Sequence, residues 1–244
     1  MSKREMTDSL ERPGLLKDVK VVLVGTAKCG KTALIQRFVN NTFSDNYVPT
    51  GFEKYSTKSK LGDYTVEYSI WDTSGSGSYD TVRPLAYQDA QVFILCFSVV
   101  DPDSLELTIG KWLPEVRSHC PSTPIILCGC KADVRLNAED TLYMNQAAIS
   151  RDQASLACQH IGAVAYVETC SRFSNPAVSE VFEIAAEAAL GISATSLQTT
   201  KAATKKRKMY SVTSAPVCKS NGTPAAKPHI KTEIRKSAKN CSVM

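Results

Sequence analysis

Histidine, tryptophan and long apolar runs are scarce in this chain of 244 residues. The three histidines, at 119, 160 and 229, stand far apart, and no cysteines are paired at zinc-type spacing, which sets aside catalysis by a side-chain-bound metal. No apolar stretch approaches the roughly 20 residues that cross a bilayer, so any membrane attachment must come from a lipid or from charge. The first twenty residues are polar and lack a signal-like apolar core. With nine cysteines, an odd number, this argues for a reducing compartment over a disulfide framework, and the cytoplasm is the expected location. Aromatics nearly vanish beyond residue 191, where Tyr210 stands alone. A tail so built has little with which to stack bases, so no nucleic acid is expected as a partner.

What is present divides sharply along the chain. The formal charge of +5 conceals eleven Lys or Arg against one acid, Glu233, from Ile192 to Met244, a balance of +10 that leaves −5 for residues 1 to 191. Residues 1–18, with Pro13 and Gly14, read as a flexible leader, residues 19–191 as a folded domain, and residues 192–244 as a disordered basic tail. Inside the domain, short β-rich runs alternate with helical patterns. Strands are expected at 19–25, 64–72, 91–99, 124–130 and 163–169, and helices at about 31–39, 104–119, 151–161 and 178–190. That rhythm predicts an α/β fold with a mostly parallel sheet and helices on both faces. Gly62-Asp63, between two strand-like runs, adds an antiparallel hairpin.

The strongest local signal is GTAKCGKT at 25 to 32, which fits G-x-x-x-x-G-K-[ST] between a strand and a helix. Backbone N–H groups of such a loop converge on phosphate oxygens, its lysine (here Lys31) adds charge at the β and γ phosphates, and its hydroxyl (Thr32) ligates Mg2+. CKAD at 130 to 133 follows a strand end, where the acceptor-only carboxylate of Asp133 suits the paired N–H donors of guanine.

Five motifs in order, GTAKCGKT, NYVPTGFEKY at 46 to 55, WDTSG at 71 to 75, GCKAD at 129 to 133 and ETCSR at 168 to 172, resemble the Rho branch of the Ras-like small GTPases. DTSGS and GCK resemble the Rnd, or RhoE-like, subfamily. The resemblance implies a P-loop NTPase fold with a six-stranded, mostly parallel sheet containing one antiparallel strand, and a Rho-type helical insert near 136–150. It implies GTP and Mg2+ as ligands. Gly25, Gly30, Lys31 and the amides of Lys28, Cys29, Thr32 and Ala33 would hold phosphates; Thr32 and Thr50 would ligate Mg2+, with Asp72 acting through water. Gly75 would contact the γ-phosphate, while Phe43, Lys131, Asp133, Ser171 and Arg172 would surround the base, with Tyr47 beside the nucleotide. Segments 43–55 and 73–86 would be the switches.

Two departures bear on hydrolysis. Hydrolysing relatives carry Gln where Ser76 stands, and that amide orients the attacking water. Ala27 takes the place of a Gly whose missing Cβ admits a partner's arginine finger, worth about 10³ to 10⁵ in rate. No residue is therefore assigned a catalytic role, and the expected protein is persistently GTP-bound and GTPase-deficient; a slow but cycling GTPase is the alternative. A third change, Cys130 for Asn, puts a poor hydrogen-bonding thiol beside the base. CSVM at 241 to 244 is a Cys-a-a-X box that predicts farnesylation of Cys241, with KKRK at 205 to 208 as the second membrane signal on an anionic surface and Cys218 as a further acylation candidate. Ser237 in RKS is a candidate phosphorylation site whose charge would weaken that attraction. The resemblance implies a monomer at the cytoplasmic face of the plasma membrane. Its partners would be plexin-type receptors, a Rho GTPase-activating protein, Rho-associated kinase and, on the tail, a 14-3-3 adaptor, with opposition to Rho signalling on the actin cytoskeleton as the outcome.

Overall fold

The computed structural model describes residues 15–135, 148–173 and 176–192. The leader up to residue 14, the insert over 136–147 and the tail from residue 193, with Cys218, Ser237 and Cys241, lie outside the described residues.

Strands β1 (Leu15–Gly25), β2 (Phe52–Leu61), β3 (Tyr64–Thr73), β4 (Val92–Ser98), β5 (Ile125–Cys130) and β6 (Ala165–Glu168) form one sheet in the order β2-β3-β1-β4-β5-β6. Only β2, joined to β3 by the turn at Gly62-Asp63, runs antiparallel; every other pairing is parallel. Every residue of β4 and β5 is buried, as interior parallel strands covered on both faces must be. β1 begins at Leu15, inside the expected leader, because Leu15 to Asp18 pair with Tyr64 to Glu67 of β3. That extension leaves Leu15 and Leu16 more than half exposed, so no burial alternation marked it in the sequence.

The helices are α1 (Lys31–Asn40), α2 (Pro102–Leu107), α3 (Leu113–His119), α4 (Arg151–His160) and α5 (Pro176–Leu190). The expected helix over 104–119 is interrupted by a wide turn at Thr108–Trp112, just before Pro114. Proline lacks the N–H that would close an α-turn onto Gly110, which lets the helix widen there. α4 starts on a capping box: the Ser150 hydroxyl accepts from the Gln153 N–H at 3.1 Å, and the Gln153 side chain accepts from the Ser150 N–H at 2.8 Å. One core layer packs α1 and α5 on the sheet through Leu34, Ile35, Tyr68, Ile94 and Phe182; the other lies on the opposite face, around Phe93, Phe97, Trp112 and Ile125. Loops at the carboxyl ends of β1, β3, β5 and β6 therefore meet at one rim, where central β1 has neighbours reached in opposite directions along the sheet, the place α/β sheets use for ligands.

Candidate nucleotide site

The loop between β1 and α1 is shaped by close contact. Gly25, at φ 155°, presses on β4 so tightly that a Cβ would come within 2.1 Å of the Cys96 carbonyl oxygen. Gly30, at φ 120°, sits over Cys130, with 3.0 Å from a hypothetical Cβ to the Cys130 Cβ. Only glycine takes that backbone and that spacing together. Cys29 turns its side chain into the core and leaves the cavity wall to its neighbours. Lys31 folds over the loop and donates to the carbonyls of Gly25 and Thr26, each at 2.8 Å.

Beside this loop opens a cavity of about 740 Å3, a size common for small-molecule sites. Lys28, Gly30, Lys31, Thr32 and Ala33 line one end together with Ala27. At the other end stand Cys130, Lys131, Asp133, Ser171 and Arg172. The segment from Phe43 to Gly51, with Tyr47 and Thr50, forms a third wall, and Gly75 and Ser76 complete it. Of the residues expected at the nucleotide, Gly25, Cys29 and Asp72 alone stand behind the wall.

Asp72, fully buried at the end of β3, reaches the cavity through Thr32, whose hydroxyl donates to its Oδ2 at 2.6 Å. Thr50 joins them, its Oγ1 lying 2.8 Å from Thr32 Oγ1. Three oxygens thus converge, one from Thr32 and one each from residues 18 and 40 positions beyond it. Asp72 Oδ1 is buried without a partner, and burial pushes this carboxyl up to about 6, only partly opposed by the Thr32 hydrogen bond and the Lys31 charge. A buried carboxylate with an unused oxygen next to two hydroxyls is a donor set for a hard divalent cation, so the residues present fit Mg2+.

Gly75 meets the phosphate loop face on. A Cβ there would lie 2.2 Å from the Ala27 nitrogen and 2.6 Å from the Gly25 carbonyl oxygen. Ser76, next in line, spends its side chain locally: it caps the short helix Gly77–Tyr79, its hydroxyl accepting from the Ser78 N–H at 3.3 Å. Beyond it the segment 77–86 is anchored by Arg83, which is 1% exposed, stacks on Trp112 at 4.5 Å and pairs with Asp80 and, at 3.1 Å, with Glu115.

At the far end, Lys131 adopts φ 63° and Asp133 enters a turn of 3-10 helix directly after β5. The Ala132 N–H donates to the Thr169 carbonyl at 3.0 Å, tying this loop to the one after β6. Cys130 belongs to the core: its Sγ and those of Cys96 and Cys128 lie within 4.8 Å of one another, fully buried. Hydrogen bonding to Cys128 and burial hold the Cys96 and Cys130 thiols well above their ordinary range, so these two pack as small neutral groups. Arg172 lies over the Phe43 ring at 5.8 Å and pairs with Asp45 at 2.6 Å.

A sequence profile of the Ras family matches residues 20–190. The chain belongs to the Ras family. Within that family its likeness is to Rho proteins: it is 32% identical to the Rho-related GTP-binding protein RhoE of Homo sapiens, covering 100% of this chain and 98% of that protein. It is 42% identical to the GTP-binding protein rho1 of Schizosaccharomyces pombe, over 70% of this chain and 86% of that one. Its identity to the GTP-binding protein RHO1 of Candida albicans is also 42%, over 71% of this chain and 88% of the relative. This Ras-family chain is thus Rho-like and, over its whole length, RhoE-like, and its sheet order is that of a P-loop NTPase.

Sequence reasoning placed Asp45 and Tyr79 only within the segments 43–55 and 73–86, and gave Arg37 no role. Asp45 and Tyr79 line the cavity, and Arg37 on α1 donates to the carbonyls of Ser171 and Arg172 from behind. The partners of Arg37 lie 134 and 135 positions away, so no local pattern could have found them.

Proposed function

We propose that this Rho-type protein binds GTP in the cavity and keeps it, working as a persistently loaded, membrane-attached module that presents its switch segments to effectors. The observation that carries the reading is Ser76: its short hydroxyl, which accepts from the Ser78 N–H within its own turn, lacks the reach of a glutamine amide to steer a water at the γ-phosphate. The Ala27 methyl, on the cavity wall beside Gly75, adds bulk where an arginine finger would enter. Phosphates would be held by Lys31 and the loop amides from Lys28 to Ala33, with Gly75 at the γ end. Thr32 and Thr50 would ligate Mg2+ and Asp72 would hold it through water; the cation, when bound, neutralises charge on the β and γ oxygens. Asp133 would read guanine, with Phe43, Lys131, Ser171 and Arg172 around the base and Tyr47 at the rim.

Farnesylation of Cys241 and the basic run at 205–208 would give the two membrane signals, with Ser237 as a phosphorylation switch between them and a 14-3-3 adaptor. By resemblance to RhoE-like proteins, the switch face would serve plexin-type receptors, a Rho GTPase-activating protein and Rho-associated kinase, opposing Rho signalling on actin. The alternative is a GTPase that cycles slowly. Nucleotide extracted from the freshly purified chain, followed by single-turnover hydrolysis, separates the two: bound GTP and negligible turnover support the loaded module, whereas bound GDP with turnover at the pace of ordinary Rho proteins refutes it.

A further inference from the structure

If GTP is kept for long periods, its residence depends on how the base end of the cavity is closed. Besides the Lys131–Asp133 loop after β5, that end is built from two loops distant in sequence, Phe43–Asn46 after α1 and Ser171–Arg172 after β6. Two arginines tie them. Arg37, near the end of α1, donates from Nε to the Ser171 carbonyl at 2.8 Å and from Nη2 to the Arg172 carbonyl at 3.0 Å. Its Nη1 turns the other way, to the carbonyl of Asn41 at 2.8 Å and its side-chain oxygen at 3.1 Å. Asn41 ends α1 in the left-handed region, at φ 53°, where the chain turns toward Phe43. One guanidinium therefore fixes both the start of the first loop and the peptide planes of the second. In front, Arg172 closes the circuit by pairing with Asp45 and lying over Phe43.

We propose that Arg37 and Asp45 are positioning residues: by tying the 171–172 loop to the α1 end and to the first switch, they set how long a guanine nucleotide stays bound. The inference rests on the nucleotide reading above. The two ties differ in strength. Arg37 is half-buried and makes four hydrogen bonds in fixed directions, whereas Asp45 and Arg172 are 73% and 53% exposed, so solvent and salt weaken that pair.

The test is the release rate of a fluorescent N-methylanthraniloyl derivative of GTP from the full chain, chased with excess unlabelled GTP. Asp45→Arg should speed release about two- to fivefold at low salt and Asp45→Asn by less, while Asp45→Glu, which keeps the charge, should stay near the original rate. Arg37→Ala should speed it about tenfold, with Arg37→Lys, which keeps the charge and loses the fork, in between. High salt should erase the Asp45 effect and leave the Arg37 effect, a pattern that a general loss of folding would not produce. Release rates unmoved by these changes, or an Asp45→Glu variant that releases as fast as Asp45→Arg, overturn the ties while leaving the function standing. A wild-type chain that retains no labelled guanine nucleotide overturns both.

Discussion

Asp72 offers a sharp test of the cation site, because burial without an ion costs it something measurable. Its carboxyl rises from the ordinary 3.8 to about 6, with desolvation the leading cause. At 1.36 kcal/mol per tenfold, that rise corresponds to about 3 kcal/mol between the protonated and ionised forms. The folded chain holds this proton more tightly than the unfolded chain does. The contribution is therefore fully present below about 3.8 and is lost as pH climbs through about 6, leaving the ion-free protein strained at neutral pH. Asp72→Asn removes the charge while keeping an oxygen for the Thr32 hydroxyl. In chelator and without nucleotide, urea unfolding at pH 7.5 should find the Asn variant more stable by about 2 to 3 kcal/mol, and at pH 4.5 that advantage should have largely gone. Saturating Mg2+ with GTP should reverse the order, since only the carboxylate gains from the cation. A wild-type-to-variant difference that stays constant between pH 7.5 and 4.5 would refute the reasoning.

Other expectations follow from neighbouring geometry. Gly75→Ala drives a methyl into the backbone at Thr26–Ala27, which should lower stability by about 1 to 3 kcal/mol and reduce the preference for GTP over GDP, read by paired nucleotide titrations. Arg83→Met strips a buried guanidinium from Glu115 and Asp80. The loss should be about 2 to 3 kcal/mol, below the figure of about 3 to 5 for a fully buried pair, because Asp80 is 46% exposed; thermal unfolding of the loaded protein reads it. Ala27→Gly combined with Ser76→Gln should raise single-turnover hydrolysis by roughly ten- to a hundredfold, and a double variant as inert as the parent would mean that something other than these two side chains limits the rate.

The sequence by itself determined the elements and the chemistry at their ends. Alternating apolar runs and helical periods required a covered, mostly parallel sheet, and GTAKCGKT required a strand before it and a helix after it, because only that junction aims N–H groups at phosphate; both stand as β1, α1 and the loop between them. What the sequence could not place were contacts with no local signature. The first four residues of β1 form because β3 lies alongside, although Leu15 and Leu16 remain exposed. The hold of Arg37 on Ser171 is likewise a product of packing, and the family resemblance, not any local pattern, grouped Thr32, Thr50 and Asp72 before the structure joined them by hydrogen bonds. Side-chain type is written in the chain one residue at a time. Which groups share a few ångströms is settled only when the loops at one rim of the sheet are drawn together, and there the tertiary structure decides.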